Sequence, residues 1–168
     1  MNKQRENTPE QNDITQILEI YKTYLQMVDK ISDRRQTANS FYLTINTVIV
    51  GLISYLSLGT DMKNVDPYYI PISIAGMVIC YHWYRLIRLY SDLNSGKFKV
   101  VHEIEKLLPV SPYDDEWDKL GRGKDKSLYL PFTHIEMRIP WIFLMLHFIV
   151  FANSITGLVV YLMFNNFK

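Results

Sequence analysis

The chain has 168 residues, 48% of them hydrophobic, with 18 Lys and Arg against 17 Asp and Glu and a single cysteine. A net charge of +1, with acids interleaved among the bases, leaves no continuous basic stripe for nucleic acid. The lone Cys80 excludes a disulfide framework within one chain, and a packed, inert thiol is its expected state.

Charge is absent from three long stretches: 25 residues from Gln36 to Thr60, 18 from Pro67 to Tyr84 and 29 from Ile139 to Phe167. A membrane span needs about 20 predominantly apolar residues, and a chain this short is expected to be unable to bury three such helices on every side. Tyr42, Tyr55, Trp141 and Tyr161 collect near the ends of the first and third runs, at the level that suits amphipathic rings. The fold class expected is therefore all-α: a polytopic membrane protein with three transmembrane helices.

Residues 1–12 contain Thr8-Pro9 and few apolar side chains, and read as a disordered tail. No apolar core of a cleavable signal precedes the first run, so that span is expected to direct its own insertion. Helix is expected from Asn12 or Asp13, either of which can cap it. Ile14, Leu18, Tyr21, Leu25 and Val28 then follow at alternating spacings of four and three, a coiled-coil type of seam. Beyond Val28 the same register passes Ser32, Arg35 and Asn39 and turns polar. Neither Pro nor Gly occurs between Asp13 and Val50, so one continuous helix to about Leu58 is expected, about 70 Å long at 1.5 Å per residue. Its amphipathic part, 13–40, leads into a first transmembrane segment at 41–59.

The second span is placed at 67–86, with Pro71 in its first turn, where a missing N–H costs least. Gly76 and His82 weaken it, and a re-entrant or interfacial helix is the alternative. The segment 91–138 is expected to be a small helical unit. Lys97 to Leu108 puts Val100, Val101, Ile104, Leu107 and Leu108 on one face, and Pro109 ends it. Ser111 to Trp117 reads as a turn leading into a short helix, and Gly121-Arg122-Gly123-Lys124 as a flexible turn. The third span, 139–164, has Pro140 in its first turn. Lys and Arg concentrate before the first span and between the second and third, which puts the N-terminus and 91–138 in the cytoplasm and the C-terminus in the periplasm or outside.

The run Tyr21-Lys22-Thr23-Tyr24-Leu25-Gln26-Met27-Val28-Asp29-Lys30-Ile31-Ser32-Asp33-Arg34-Arg35-Gln36-Thr37-Ala38-Asn39-Ser40-Phe41-Tyr42-Leu43 resembles the approach to the first span in the RipA family of small octameric bacterial inner-membrane proteins. Lys97 to Glu105, Leu108-Pro109, Glu116-Trp117 and Thr133 to Pro140 carry the likeness onward, so that Glu105, Glu116, Trp117, Glu136 and Pro140 stand out as motif residues of the central segment. The resemblance implies a homo-octamer in the bacterial cytoplasmic membrane with no assigned reaction. A looser likeness links the chain to two-span SLATT effectors, which are thought to form pores, although a third span and the long central segment depart from that pattern.

Two groups of polar residues are the candidates for function. Asp29, Asp33, Arg34, Arg35 and Asn39 lie within three turns just ahead of the first span. Like charges at i,i+4, Asp29 with Asp33 and Lys30 with Arg34, destabilise an isolated helix. Pairing with a neighbouring subunit or within the chain would relieve them. Snorkelling at the interface is the bland alternative, and binding of lipid headgroups or an anionic ligand is the third. Within the spans, Asn46, Ser54, His147 and Asn153 are candidates either for glue between helices or for the lining of a conduit in a ring.

Enzyme chemistry has little support. His102 and Glu105 share a helix face at i,i+3, a spacing that occurs in metal sites, but no further ligands cluster with them. No phosphate loop, nucleophile elbow or Cys/His cluster is present in the sequence. The expected partners are membrane lipids and further copies of the chain, with no cofactor. The leading reading is a homo-oligomeric membrane scaffold or stress-related complex without enzymatic activity, and the second is an ion-conducting or pore-forming assembly.

Overall fold

The structure, a computed structural model, describes residues 9–58, 69–124, 127 and 132–165. Most of the expected N-terminal tail, the short connection at 59–68 and the last three residues lie outside them. The described residues are helical throughout apart from turns: α1 is Pro9–Leu58, α2 Tyr69–Glu105, α3 Pro112–Lys119, α4 Phe132–Glu136 and α5 Arg138–Asn165. Three of these helices, α1, α2 and α5, are long and apolar enough to cross a membrane. The all-helical membrane fold expected from the uncharged runs is the fold observed.

Two expectations about helix ends are corrected. α1 begins at Pro9 rather than at Asn12 or Asp13. Proline is well suited to a first helical position, since its missing N–H has no partner there in any case. The second span and the helix expected separately from Lys97 are one helix, α2, which passes through Ser91–Gly96 unbroken. No proline lies between Pro71 and Pro109, and the glycine at 96 costs only about 1 kcal/mol, too little to break a helix anchored on both sides.

Proline does set the other ends. Pro109 has no N–H for the Glu105 carbonyl, so α2 stops at Glu105 and the chain tightens, with Leu107 N–H donating to Ile104 O and Leu108 N–H to Glu105 O. Leu107 is consequently turned out, 64% exposed, whereas it was expected on the apolar face; Val101 carries that face and is fully buried. Pro140 likewise leaves the Glu136 carbonyl without a helical donor, and the break between α4 and α5 falls at Met137.

The chain divides into two compact units. One draws on Met1–Arg35 and Tyr90–Pro131, the other on Gln36–Leu89 and Phe132–Lys168. In the first unit the seam of α1 buries Tyr21, Val28 and Ile31, with Ile31 in place of the expected Ser32, while Ile14 and Leu18 stay exposed. In the second unit the buried side chains are Ile53, Cys80, Trp83, Ile87 and Pro140 together with the polar Asn46, Ser73, Glu136, His147 and Ser154. Large apolar side chains such as Leu52, Val78 and Phe148 face outward from α1, α2 and α5. This inside-out distribution is what hydrocarbon as solvent permits.

Candidate functional site

Each unit has a buried polar centre, and the two differ in chemistry. In the span unit, Asn46 of α1, Cys80 of α2 and His147 of α5 meet, one residue from each long helix. The Cys80 thiol donates to Asn46 Oδ1 at 3.1 Å, and His147 Nε2 lies 3.1 Å from the same oxygen. Asn46 Nδ2 donates to the Tyr42 carbonyl at 2.8 Å. An amide oxygen only accepts, so His147 carries its proton on Nε2, and Nδ1 is left buried without a hydrogen-bond partner. The ring lies flat against Gly76: a Cβ there would fall 2.5 Å from His147 Cε1 and Nδ1.

One heptad earlier on α1, Asn39 makes a second tier. Its Oδ1 accepts the Trp83 indole N–H at 2.8 Å and its Nδ2 donates to Glu136 Oε1 at 3.0 Å. Trp83 stacks on Tyr42, with centroids 6.0 Å apart and planes 8° from parallel, and also meets the Phe143 ring. Buried indole N–H groups need an acceptor, and Asn39 supplies it. Pro140 is also buried.

In the other unit, Glu105 is completely buried and its carboxylate accepts three hydrogen bonds. The Tyr21 hydroxyl donates to Oε1 at 2.7 Å, Tyr113 N–H to Oε1 at 2.9 Å and Asp114 N–H to Oε2 at 3.0 Å. Ser111, at the N-cap of α3, makes no side-chain cap. Glu105 therefore performs that task from the end of the preceding helix, holding the first-turn N–H groups of α3 with a negative charge at the positive end of the helix. Tyr21, Tyr113 and Phe98 pack around it. His102 Nδ1 stands 3.5 Å from Glu105 Oε2 and 3.6 Å from Asp114 Oδ1, too far for hydrogen bonds and an ion pair only when the ring carries a proton.

A brace closes α3 from outside. Gly121, Arg122 and Gly123 all have positive φ, which turns the chain back so that Arg122 reaches Asp118 and Asp114. The Arg122 hydrogen bond holds the Asp118 carboxyl below its usual range, and the same contact raises Arg122. A depressed aspartate contributes stability above its ordinary range and loses it as pH falls through the lowered value. Amide exchange at Leu120 and Lys124, corrected for intrinsic rate, should thus quicken as pH falls below the ordinary aspartate range of about 4. In Asp118→Asn the faster rate should already hold at neutral pH.

The remaining candidates are distributed as follows. Asp29 and Arg34 are exposed, without an ion pair among the described residues; Asp33 is exposed and Arg35 half-buried, both with contacts of their own. Ser54 and Asn153 face outward, and the Ser54 hydroxyl donates to Val50 O. Glu116 is exposed and Trp117 half-buried beside Gly123. Of the juxtamembrane group, Asn39 bridges α2 and the end of α4 through the hydrogen bonds described above. Sequence reasoning passed over Trp83 as a partner for it, and took Tyr21 for an apolar seam residue. The signal for both was the polar tip of an aromatic ring that cannot be buried unsatisfied.

Chemically these centres hold helices together. Cys80 and His147 both address the same oxygen of Asn46, so the ring does not draw the proton from the thiol and no activated nucleophile results. Glu105 has its lone pairs committed to three donors. Among the described residues, no group of three or more His, Cys, Asp or Glu is placed to hold a metal ion.

Three long apolar helices tied by buried amide, thiol and imidazole groups define an all-helical polytopic membrane protein. The model of the octameric membrane protein family, 8xMP, matches residues 18–156, and the chain belongs to that family. Membership implies self-association. The match is to the family as a whole and names neither the RipA proteins nor the SLATT effectors. No curated protein and no solved structure matches.

Proposed function

We propose that this chain is a homo-oligomeric scaffold of the bacterial inner membrane, octameric in its assembly and without enzymatic activity, serving a structural or stress-related complex. The observation that carries this reading is that the polar groups of Asn46 and His147 are consumed inside the protomer. Asn46 and His147 are fully buried against each other and cannot face a shared axis. The orientation that fits the distribution of Lys and Arg has the N-terminus and 91–138 in the cytoplasm and the C-terminus outside.

A specific feature favours a second reading, a conducting ring. Ser40, Thr44, Thr47, Gly51 and Ser54 recur at spacings of four and three on the outward side of α1, away from buried Asn46 and Ile53. Repeated around an axis, such a stripe would present hydroxyls to water. Against it, Thr44, Thr47 and Ser54 each return their hydroxyl proton to a carbonyl on their own helix, which suits a dry contact between closely approaching helices. Among the described residues, no neighbouring side chain lies within 4 Å of a Cβ at Gly51.

Planar-bilayer recording and particle mass on the purified oligomer separate the two readings. The scaffold predicts electrical silence under voltage and pH challenge, and a Gly51→Leu particle of reduced mass. Conductance that is abolished by Thr47→Leu would replace the scaffold with the pore.

A further inference from the structure

We propose that the groove between α2 and α5, where Tyr84 meets Trp141, binds the phosphate of an anionic phospholipid through Arg88 and Arg138. Three contacts set the geometry: Gly76 against His147, Trp83 against Phe143 at 6.2 Å between centroids, and Tyr84 against Trp141 at 5.4 Å. Numbers rise along α2 as they fall along α5, so the helices are antiparallel. Arg88 lies one turn beyond Tyr84, about 6 Å along α2, and Arg138 three residues before Trp141, about 4.5 Å along α5. Both displacements run toward the same membrane face. Two guanidinium groups therefore flank one groove at one height, directly above an edge-to-face aromatic pair whose Trp141 is 50% exposed.

The charges there lack counterparts. Arg88 and Arg138 are exposed and make no ion pair with any described residue. Arg85, beside them on α2, has only a 3.4 Å contact with the Tyr81 hydroxyl. The one carboxylate near the start of α5, Glu136, is buried and receives Asn39. Asp92, one turn past Arg88, is exposed and not paired with it. Glu136 is the only acid among the described residues of the span unit. The lipid supplies the counter-charge at the depth where acyl chains end and phosphates begin. Guanidinium groups grip phosphate oxygens in pairs, and indole and phenol rings settle beside the glycerol level.

The test uses the full chain reconstituted in phosphatidylcholine with either brominated phosphatidylglycerol or brominated phosphatidylcholine as quencher, reading the tryptophan fluorescence lost in Trp141→Phe. Phosphatidylglycerol should be preferred at this site by roughly 30-fold, with the preference weakening as salt rises. Arg88→Gln with Arg138→Gln, at unchanged particle mass and helical signal, should bring it below about twofold, while the paired Lys substitutions should keep an intermediate value. Equal quenching of the Trp141 signal by the two lipids overturns the proposal, as does a preference that survives the paired Gln change. Inorganic phosphate at constant ionic strength should leave the preference intact; its collapse would assign the groove to a free anion instead of a lipid.

Discussion

Glu105→Leu will detach α3 from the end of α2 and loosen the whole of the smaller polar centre. The substitution strands the Tyr21 hydroxyl and the N–H groups of Tyr113 and Asp114, all of which now point at one fully buried carboxylate. A buried donor without an acceptor costs about 1–3 kcal/mol, so three of them, partly relieved by local opening, should cost about 3–5 kcal/mol. Amide exchange at Tyr113 and Asp114 should accelerate by at least about 100-fold, as that free energy requires. Glu105→Gln discriminates a cap from a mere filler of space. Its amide can accept through one oxygen only and sets an NH₂ against one of the two backbone donors, so it should lie between wild type and Leu. If Gln and Leu behave alike, volume rather than hydrogen bonding holds α3. If neither changes the exchange, the contact does not form in solution.

The three spans were legible in the sequence because hydrocarbon imposes a condition that each segment must meet alone: no charge over roughly 20 residues. The polar centres were not, because each is assembled from residues far apart in the chain. Glu105 pairs with Tyr21 across 84 positions, and Asn46 with His147 across 101. Local spacing offered His102 and Glu105 as a conceivable metal pair. The fold turns the carboxylate of Glu105 instead onto backbone N–H groups of the next helix, partners that no side-chain pattern reveals. Asn39 was legible as a polar residue where the seam of α1 should have stayed apolar, yet its partner Trp83 counts as hydrophobic in any periodicity. The continuity of α2 through Ser91–Gly96 was missed for a related reason. Polar composition there suggests a boundary, whereas helix ends follow from backbone donors and acceptors, and the next proline lies at 109.

Gly76 reads in the sequence as a weak point of the second span, and the structure gives it the opposite value. The His147 ring occupies the space that any side chain at 76 would need, its atoms 2.5–2.6 Å from where a Cβ would sit. Gly76→Ala must therefore push a ring that is fully enclosed and held by Asn46. Overpacking of that kind costs about 1–3 kcal/mol, and the hydrogen bond displaced with it adds about 0.6–2 kcal/mol in a membrane interior. A single added methyl should accordingly lower the thermal stability of the detergent-solubilised protein more than Gly51→Ala, where no neighbouring atom among the described residues stands within 4 Å. His147→Ala removes the ring and leaves Asn46 with Cys80. On that background the methyl at 76 enters vacated space, so Gly76→Ala should become nearly neutral, with a coupling between the two sites of about 1–3 kcal/mol. Additive losses in the double variant would mean that the ring does not rest on Gly76, and with it would go the tautomer assigned to His147 and the three-helix junction built on it.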